Sequence, residues 1–133
     1  MIYNRIFALM LLSLIPACAG AQDQTPAPTG GALTLPSGQS VTAVDAIEDG
    51  DVLRLRYLAP QIASEIDSEA ALQDIDWLCA NVGLPRAGDS AQVVISLMDR
   101  VVPFGETDPE ATQYFEAFNV ESGSCEIEVF EDD

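Results

Sequence analysis

The sequence predicts an α+β domain, with a mostly antiparallel sheet of about five strands, one main helix packed on one face, and one disulfide. Residues 91–98 (AQVVISLM) are apolar at nearly every position and rich in β-branched side chains, which is typical of a buried central strand. An apolar stripe with helical spacing precedes this run, and segments with period-two alternation lie before and after it. The domain is expected to occupy residues 36–133.

Two strands are predicted before the helix. The first, at residues 41–47, has a weak pattern, and an acidic turn containing Gly50 follows it. In the second, which begins at residue 52, apolar side chains alternate with Arg54 and Arg56. We expect both arginines on a solvent face, paired with acidic residues of a neighbouring strand.

The main helix is predicted to begin after the N-cap Asp67 and to end near Gly83 and Pro85. Its buried stripe comprises Ala71, Leu72, Ile75, Leu78, Cys79 and Val82. Trp77 points away from this stripe. Either the segment from Pro60 to Ile66 folds back over Trp77, or Trp77 is exposed and contacts a partner.

The segment after the central strand is ambiguous. Asp99 and Arg100 are predicted to form a turn, and Pro109 favours a single helical turn. Residues 113–118 fit both helical spacing and strand alternation. We interpret them as a strand, because the alternating run at residues 125–129 needs an adjacent strand with which to form a hairpin.

The first 21 residues have the features of an export signal. Arg5 precedes a short apolar run, which small residues follow, and the run is too short to span a bilayer. Cleavage after Ala21 is one interpretation. The alternative is a lipobox that makes Cys18 a lipidated N terminus. Both predict an exported protein, periplasmic or lipid-anchored in the cell envelope, with a flexible linker at residues 22–35.

Cys79 and Cys125 remain as an even pair of cysteines in the exported domain under either interpretation. An oxidising compartment favours a disulfide between them. The alternative is two buried free thiols that behave as small apolar side chains.

The charge balance restricts the partners. The chain has 22 Asp and Glu against 5 Lys and Arg, with a net charge of −17 and no His. Such a charge repels nucleic acid and anionic lipid headgroups, so no nucleic-acid ligand is expected, and membrane contact is expected only through an N-terminal lipid. A cationic protein partner and divalent ions remain as candidates.

No catalytic, cofactor or metal site is predicted. The absence of His and Lys removes most general-base, Schiff-base and imidazole-metal chemistry. The acidic residues around Gly50 lack the ligand spacing of an EF-hand loop. Asp74 and Asp76 point to different sides of the helix and do not form a catalytic pair. We interpret Asp99 and Arg100 as a structural ion pair.

Several short motifs follow one another in a specific order. They are Leu78-Cys79, Leu84-Pro85-Arg86, residues 95–100 (ISLMDR), Phe104-Gly105, residues 108–113 (DPEATQ) and Gly123-Ser124-Cys125. In this order they resemble an uncharacterised family of small exported alphaproteobacterial proteins, a domain of unknown function. The resemblance covers residues 36–130. It implies that both cysteines and the Asp99-Arg100 turn occupy motif positions, and it implies no activity.

These observations predict a non-catalytic cell-envelope protein that binds an unknown protein partner or serves as an accessory module. Its contact surface is expected to include Trp77 or the region of Arg86, Asp99 and Arg100. The alternative is a binder of cations or cationic proteins, such as an inhibitor of a basic envelope hydrolase. A carboxylate-based enzyme is the third hypothesis.

Overall fold

The computed structural model describes residues 31–128, which form one curled six-stranded sheet with a long helical rod on one face. The strands lie side by side in chain order. They are β1 (Ala32–Thr34), β2 (Ser40–Asp49), β3 (Val52–Leu58), β4 (Gln92–Met98), β5 (Gln113–Asn119) and β6 (Glu126–Ile127). A short 3₁₀ helix (Pro60–Ala63) follows β3.

The sheet is mixed. Neighbouring strands are antiparallel except for β3 and β4, which are parallel. A parallel pair needs a crossover, and the rod between β3 and β4 supplies it. The expected number of about five strands is wrong, because β1 adds a sixth at Ala32–Thr34, within the predicted linker. Leu35 directly after β1 is buried in the core.

The rod comprises 20 residues and is longer than predicted. It consists of α1 (Ser68–Leu78), a π-helical segment (Cys79–Gly83) and α2 (Leu84–Ala87). As predicted, Asp67 caps α1, and its side chain accepts a hydrogen bond from Ala70 N.

Gly83 and Pro85 do not end the helix. The Leu84 N–H donates to Cys79 O, five residues earlier, and Pro85 follows at the start of α2, where its missing N–H is tolerated. A Cβ at Gly83 would lie 3.0 Å from Val93 Cγ1, so this glycine allows the rod to approach β4 closely. The rod ends before Gly88, whose φ is 55°.

The main core lies between the rod and one face of the sheet, which we call the rod face. The predicted central strand is confirmed as β4, and its alternate side chains pair with those of β3. Leu53, Leu55, Tyr57, Val93, Ile95 and Leu97 form this buried layer. Leu72 was predicted to belong to the buried stripe of the helix, but it is exposed. Asp74 was not predicted to belong to the stripe, but it is fully buried.

The predicted disulfide is confirmed. Cys79 on the rod is bonded to Cys125, 46 residues later, directly before β6. The bond therefore ties the rod to the hairpin formed by β5 and β6. Trp77 is half-buried and packs against the main core.

Residues 113–119 form a strand, as interpreted from the sequence. The helical turn expected before it is wrong. Asp108 Oδ1 instead accepts a hydrogen bond from Glu110 N at 2.9 Å in a non-helical turn. The export signal, Cys18 and most of the linker lie outside the described residues. Among the helices of residues 31–128, none has the length and apolar character needed to cross a bilayer.

Candidate functional site

The candidate site lies on the sheet face that points away from the rod, which we call the open face. Strand register places one row of side chains across it, in which Phe115 pairs with Ser96, Ser96 with Arg56, and Arg56 with Asp45. The next row contains Arg54 and its partner Val94. Residues paired in register point to the same face of the sheet. Leu53, Leu55 and Tyr57 point to the rod face, so Arg54 and Arg56 between them point to the open face.

The loop between β4 and β5, residues 99–112, folds over part of the open face. Its ends are held together because Asp99 N donates to Thr112 O at 3.0 Å, and Thr112 N donates to Asp99 Oδ1 at 2.9 Å. Within the loop, Val102 packs with Met98 and Val44 in a second, smaller core. A break in the β2 register between Ala43 and Asp45 coincides with Val44.

Arg56 fastens this loop to the sheet. It is only 8% exposed, its Nη1 donates to Asp45 Oδ2 at 2.8 Å, and its Nη2 donates to Val102 O. The expected solvent exposure is therefore wrong for Arg56, because a loop distant in the sequence covers it. The expected acidic partner on the neighbouring strand is confirmed.

Arg54, by contrast, has donors to spare. Its partially exposed side chain has Nε 3.6 Å from Asp49 Oδ2, a long ionic contact with an exposed carboxylate. The same Nε is buried and has no hydrogen-bond partner among the described residues. Arg54 also has an acidic partner on β2, as expected, but most of its hydrogen-bonding capacity is unused by that contact.

A pocket of about 220 Å³ lies over these arginines, and we call it the Arg54 pocket. Its walls include Phe104 from the loop and Phe115 from β5, and Glu106 also lines it. The Phe104 ring centroid is 5.7 Å from the guanidinium carbon of Arg54 and 5.7 Å from that of Arg56, which is within cation–π range. Phe104 is 53% exposed and Phe115 is 67% exposed. The pocket thus combines a cation with accessible aromatic surface.

A family model described as a family of unknown function, DUF6497, matches residues 14–130. The chain belongs to this family. The match includes Cys79, Cys125, the Arg54 pocket and the Asp99-Arg100 turn. No curated protein and no solved structure matches the chain significantly.

The residues predicted for the partner surface of this DUF6497 protein do not lie together. Trp77 packs against the core from the rod, and Arg86 lies beside the turn between β2 and β3, next to Asp51. Asp99 and Arg100 follow the opposite end of β4. Among these residues, Asp99 and Arg100 belong to the loop that forms the Arg54 pocket, but neither lines the pocket.

Asp99 and Arg100 form the expected ion pair, with Arg100 Nη2 3.4 Å from Asp99 Oδ2. Burial alone would raise the pKa of Asp99. The hydrogen bonds from Arg100 and from Thr112 N oppose this effect, and the pKa of Asp99 lies below its ordinary value. Asp99 is therefore a fixed anion at the base of the loop.

Asp74 is a buried acidic residue whose role the sequence analysis missed. Its carboxylate accepts hydrogen bonds from Ser37 N at 2.9 Å, from Ser37 Oγ, and from Gln39 Nε2 at 2.7 Å. These contacts tie the β1–β2 turn to α1. One sequence signal was available, because Asp74 lies three residues after Ala71 and four before Leu78, on the buried stripe. Its full burial makes it a structural anchor.

The described residues contain no group of three or more His, Cys, Asp or Glu side chains arranged to hold a metal ion. Of the acidic residues around Gly50, Asp45, Glu48 and Asp49 lie on β2, and Asp51 lies in the turn between β2 and β3. Two of them have ionic partners on β3, since Asp45 contacts Arg56 and Asp49 contacts Arg54.

Proposed function

We propose that this DUF6497 protein is a non-catalytic, exported binding module that contacts a protein partner through the open face of its sheet. The observation that carries the proposal is the exposure of Phe104 and Phe115 side by side at the Arg54 pocket. Val101, in the same loop, is 50% exposed. Exposed aromatic side chains that flank an arginine are typical of the central residues of protein interfaces.

The surroundings of these aromatic residues also favour contact over catalysis. Asp45 is held by Arg56, and Asp99 is held by Thr112 and Arg100, so both carboxylates already have structural partners. Glu106 is the one carboxylate lining the Arg54 pocket within the described part of the chain. Among residues 31–128, this pocket therefore has no pair of carboxylates for general acid–base catalysis.

A photo-crosslinking experiment tests the contact surface. A benzoylphenylalanine at position 115 is expected to crosslink a discrete partner in the native envelope. The same group at position 72 serves as the control, because Leu72 is an exposed apolar side chain on the rod. Equal crosslinking at both positions, or crosslinking at position 72 alone, would contradict the proposal. Phe104→Ala should weaken the crosslink made from position 115.

A second candidate is a binder of a cationic protein, which the excess of 22 acidic over 5 basic residues favours. Attraction between exposed charges is screened over a Debye length, which falls from about 30 Å at 0.01 M salt to about 3 Å at 1 M. Crosslinking from position 115 that survives high salt supports contact through the aromatic residues. A steep loss with salt supports the cationic partner.

The cellular location is part of the proposal and is tested separately. A palmitate analogue is expected to label the mature protein if Cys18 is lipidated, and Cys18→Ser should abolish the label. An unlabelled exported protein that begins at Gln22 would instead establish cleavage after Ala21. Retention of the whole chain in the cytoplasm would contradict export.

A further inference from the structure

We propose that the Arg54 pocket binds the terminal carboxylate of a peptide whose last residue is apolar, with Arg54 as the anchoring cation. This inference rests on the proposed function, since it names the chemistry of the partner at the same surface. It depends on the difference between the two arginines, on the shape of the pocket, and on the charge around it.

The two arginines differ in how many of their donors are in use. Arg56 is buried and donates to Asp45 Oδ2 and to Val102 O, so it serves the fold. Within residues 31–128, the one ionic contact of Arg54 is the 3.6 Å approach of its Nε to Asp49 Oδ2, and its side chain reaches solvent. A guanidinium has five N–H donors in a planar fork that fits a carboxylate with two parallel hydrogen bonds. Arg54 is therefore the donor available to an incoming carboxylate.

The shape of the pocket favours a chain end. About 220 Å³ is below the range of about 300–1,000 Å³ typical of drug-sized ligands, and it suits one side chain with its carboxylate. Phe104, Phe115 and Val94 supply apolar wall next to the guanidinium. A C-terminal residue carries its carboxylate and its apolar side chain on the same Cα. An internal Asp or Glu would need a neighbouring residue to supply the apolar group.

The surrounding charge favours a single carboxylate. Glu106 lines the same pocket, and Asp49 lies beside Arg54, so a second negative charge on the ligand would be repelled. The net negative charge of the whole chain also repels ligands that carry several negative charges. A monocarboxylate with an apolar group fits the local balance of one available cation between two acidic side chains.

An NMR titration with N-acetyl-L-phenylalanine tests the inference, and its uncharged amide serves as the matched probe. We expect the acid to shift the amide signals of Ser96, Phe104 and Phe115, with a dissociation constant on the order of 1 mM. The amide should bind at least about tenfold more weakly, because it cannot form charge-assisted hydrogen bonds with Arg54. N-acetyl-L-aspartate should also bind more weakly than N-acetyl-L-phenylalanine.

Arg54→Gln should reduce binding of the acid to the level of the amide. Arg86→Gln removes the same charge from a residue that does not line the Arg54 pocket and should leave binding unchanged. A thermal melt of each variant establishes that it is folded. Equal binding of acid and amide at the pocket would overturn the carboxylate assignment while leaving the contact surface in place. If neither probe shifts the amide signals, the carboxylate assignment is also overturned. The crosslinking experiment at position 115 then tests the proposed function independently.

The acidic end of this chain is a competing occupant that the test must separate. The sequence ends in Glu131, Asp132 and Asp133. The titration is repeated on full-length protein with Glu131→Gln, Asp132→Asn and Asp133→Asn. Unchanged binding of the acid supports an external ligand. Binding that occurs only in this variant would assign the pocket to these three acidic side chains and overturn the proposal.

Discussion

The two faces of the central strands differ in what covers them. On the rod face, Leu53 and Leu55 of β3 meet Val93 and Ile95 of β4 beneath a rod of 20 residues. On the open face, the intervening side chains include two arginines, and a loop covers only part of them. One strand therefore supplies both a sealed core and a charged pocket, because successive side chains alternate between faces.

This division lets the rod face position the open face. Each residue that lines the Arg54 pocket on β3 or β4 is flanked in sequence by residues fixed in the main core. Arg54 lies between Leu53 and Leu55, and Ser96 lies between Ile95 and Leu97. The core therefore holds the pocket floor in place, whereas the roof of the pocket is a loop closed by Asp99 and Thr112. Substitutions on the two faces are expected to have different consequences.

The largest contrast is expected from the same substitution at adjacent positions of β4. Ile95→Asp places an unpaired carboxylate against the rod and should prevent folding, because burial of an isolated charge is very costly. Val94→Asp places the carboxylate in the Arg54 pocket, where Arg54 can pair with it, and should cost only about 2 kcal/mol. Circular dichroism and urea unfolding measure both. A folded Ile95→Asp variant would place the core elsewhere.

The next effect concerns the attachment of the rod to the β5–β6 hairpin. Cys125→Ser removes the disulfide, and the chain-entropy model gives about 4 kcal/mol for a crosslink spanning 46 residues. The variant should have a lower Tm than the wild type in oxidising buffer and a similar Tm under reducing conditions. Native wild-type protein should contain no thiol at either Cys79 or Cys125. Two free thiols at these positions would contradict the bond.

A smaller effect is expected at the anchor between α1 and the β1–β2 turn. Asp74→Asn replaces an acceptor that serves Ser37 and Gln39 with an amide that opposes one of their donors, at a cost of about 2 kcal/mol. Asp76→Asn is the matched control, since Asp76 is exposed two residues later on the same helix. Urea unfolding should separate the two variants. Equal stabilities would mean that the buried contacts of Asp74 contribute nothing.

Local patterns in the sequence were enough to predict β4, the helix start at Asp67, the disulfide and the alternation of Arg54 and Arg56. Each of these depends on neighbours within a few residues or on the number of cysteines. The parallel pairing of β3 with β4 depends instead on where the rod returns the chain. A proline usually ends a helix, so Pro85 was expected to end this one. The rod continues because a π-helical segment precedes Pro85.

The candidate site was less accessible to sequence analysis than the fold. Arg54 and Arg56 were placed correctly on one face, but their partner Phe104 lies about 50 residues later in an irregular loop. No periodic pattern predicts where such a loop lies over a sheet. The residues selected for the partner surface, such as Arg86 and Asp99, were chosen by charge, and the fold places them at opposite ends of β4.

The most direct test of the division between faces is the free energy of unfolding of two alanine variants on β5. Phe118 is 1% exposed on the rod face, and Phe118→Ala should lower stability by about 3–5 kcal/mol. Phe115 lies on the open face of the same strand, and Phe115→Ala should change stability by less than about 1 kcal/mol. Equal losses in the two variants would contradict the account, because both faces would then serve as core.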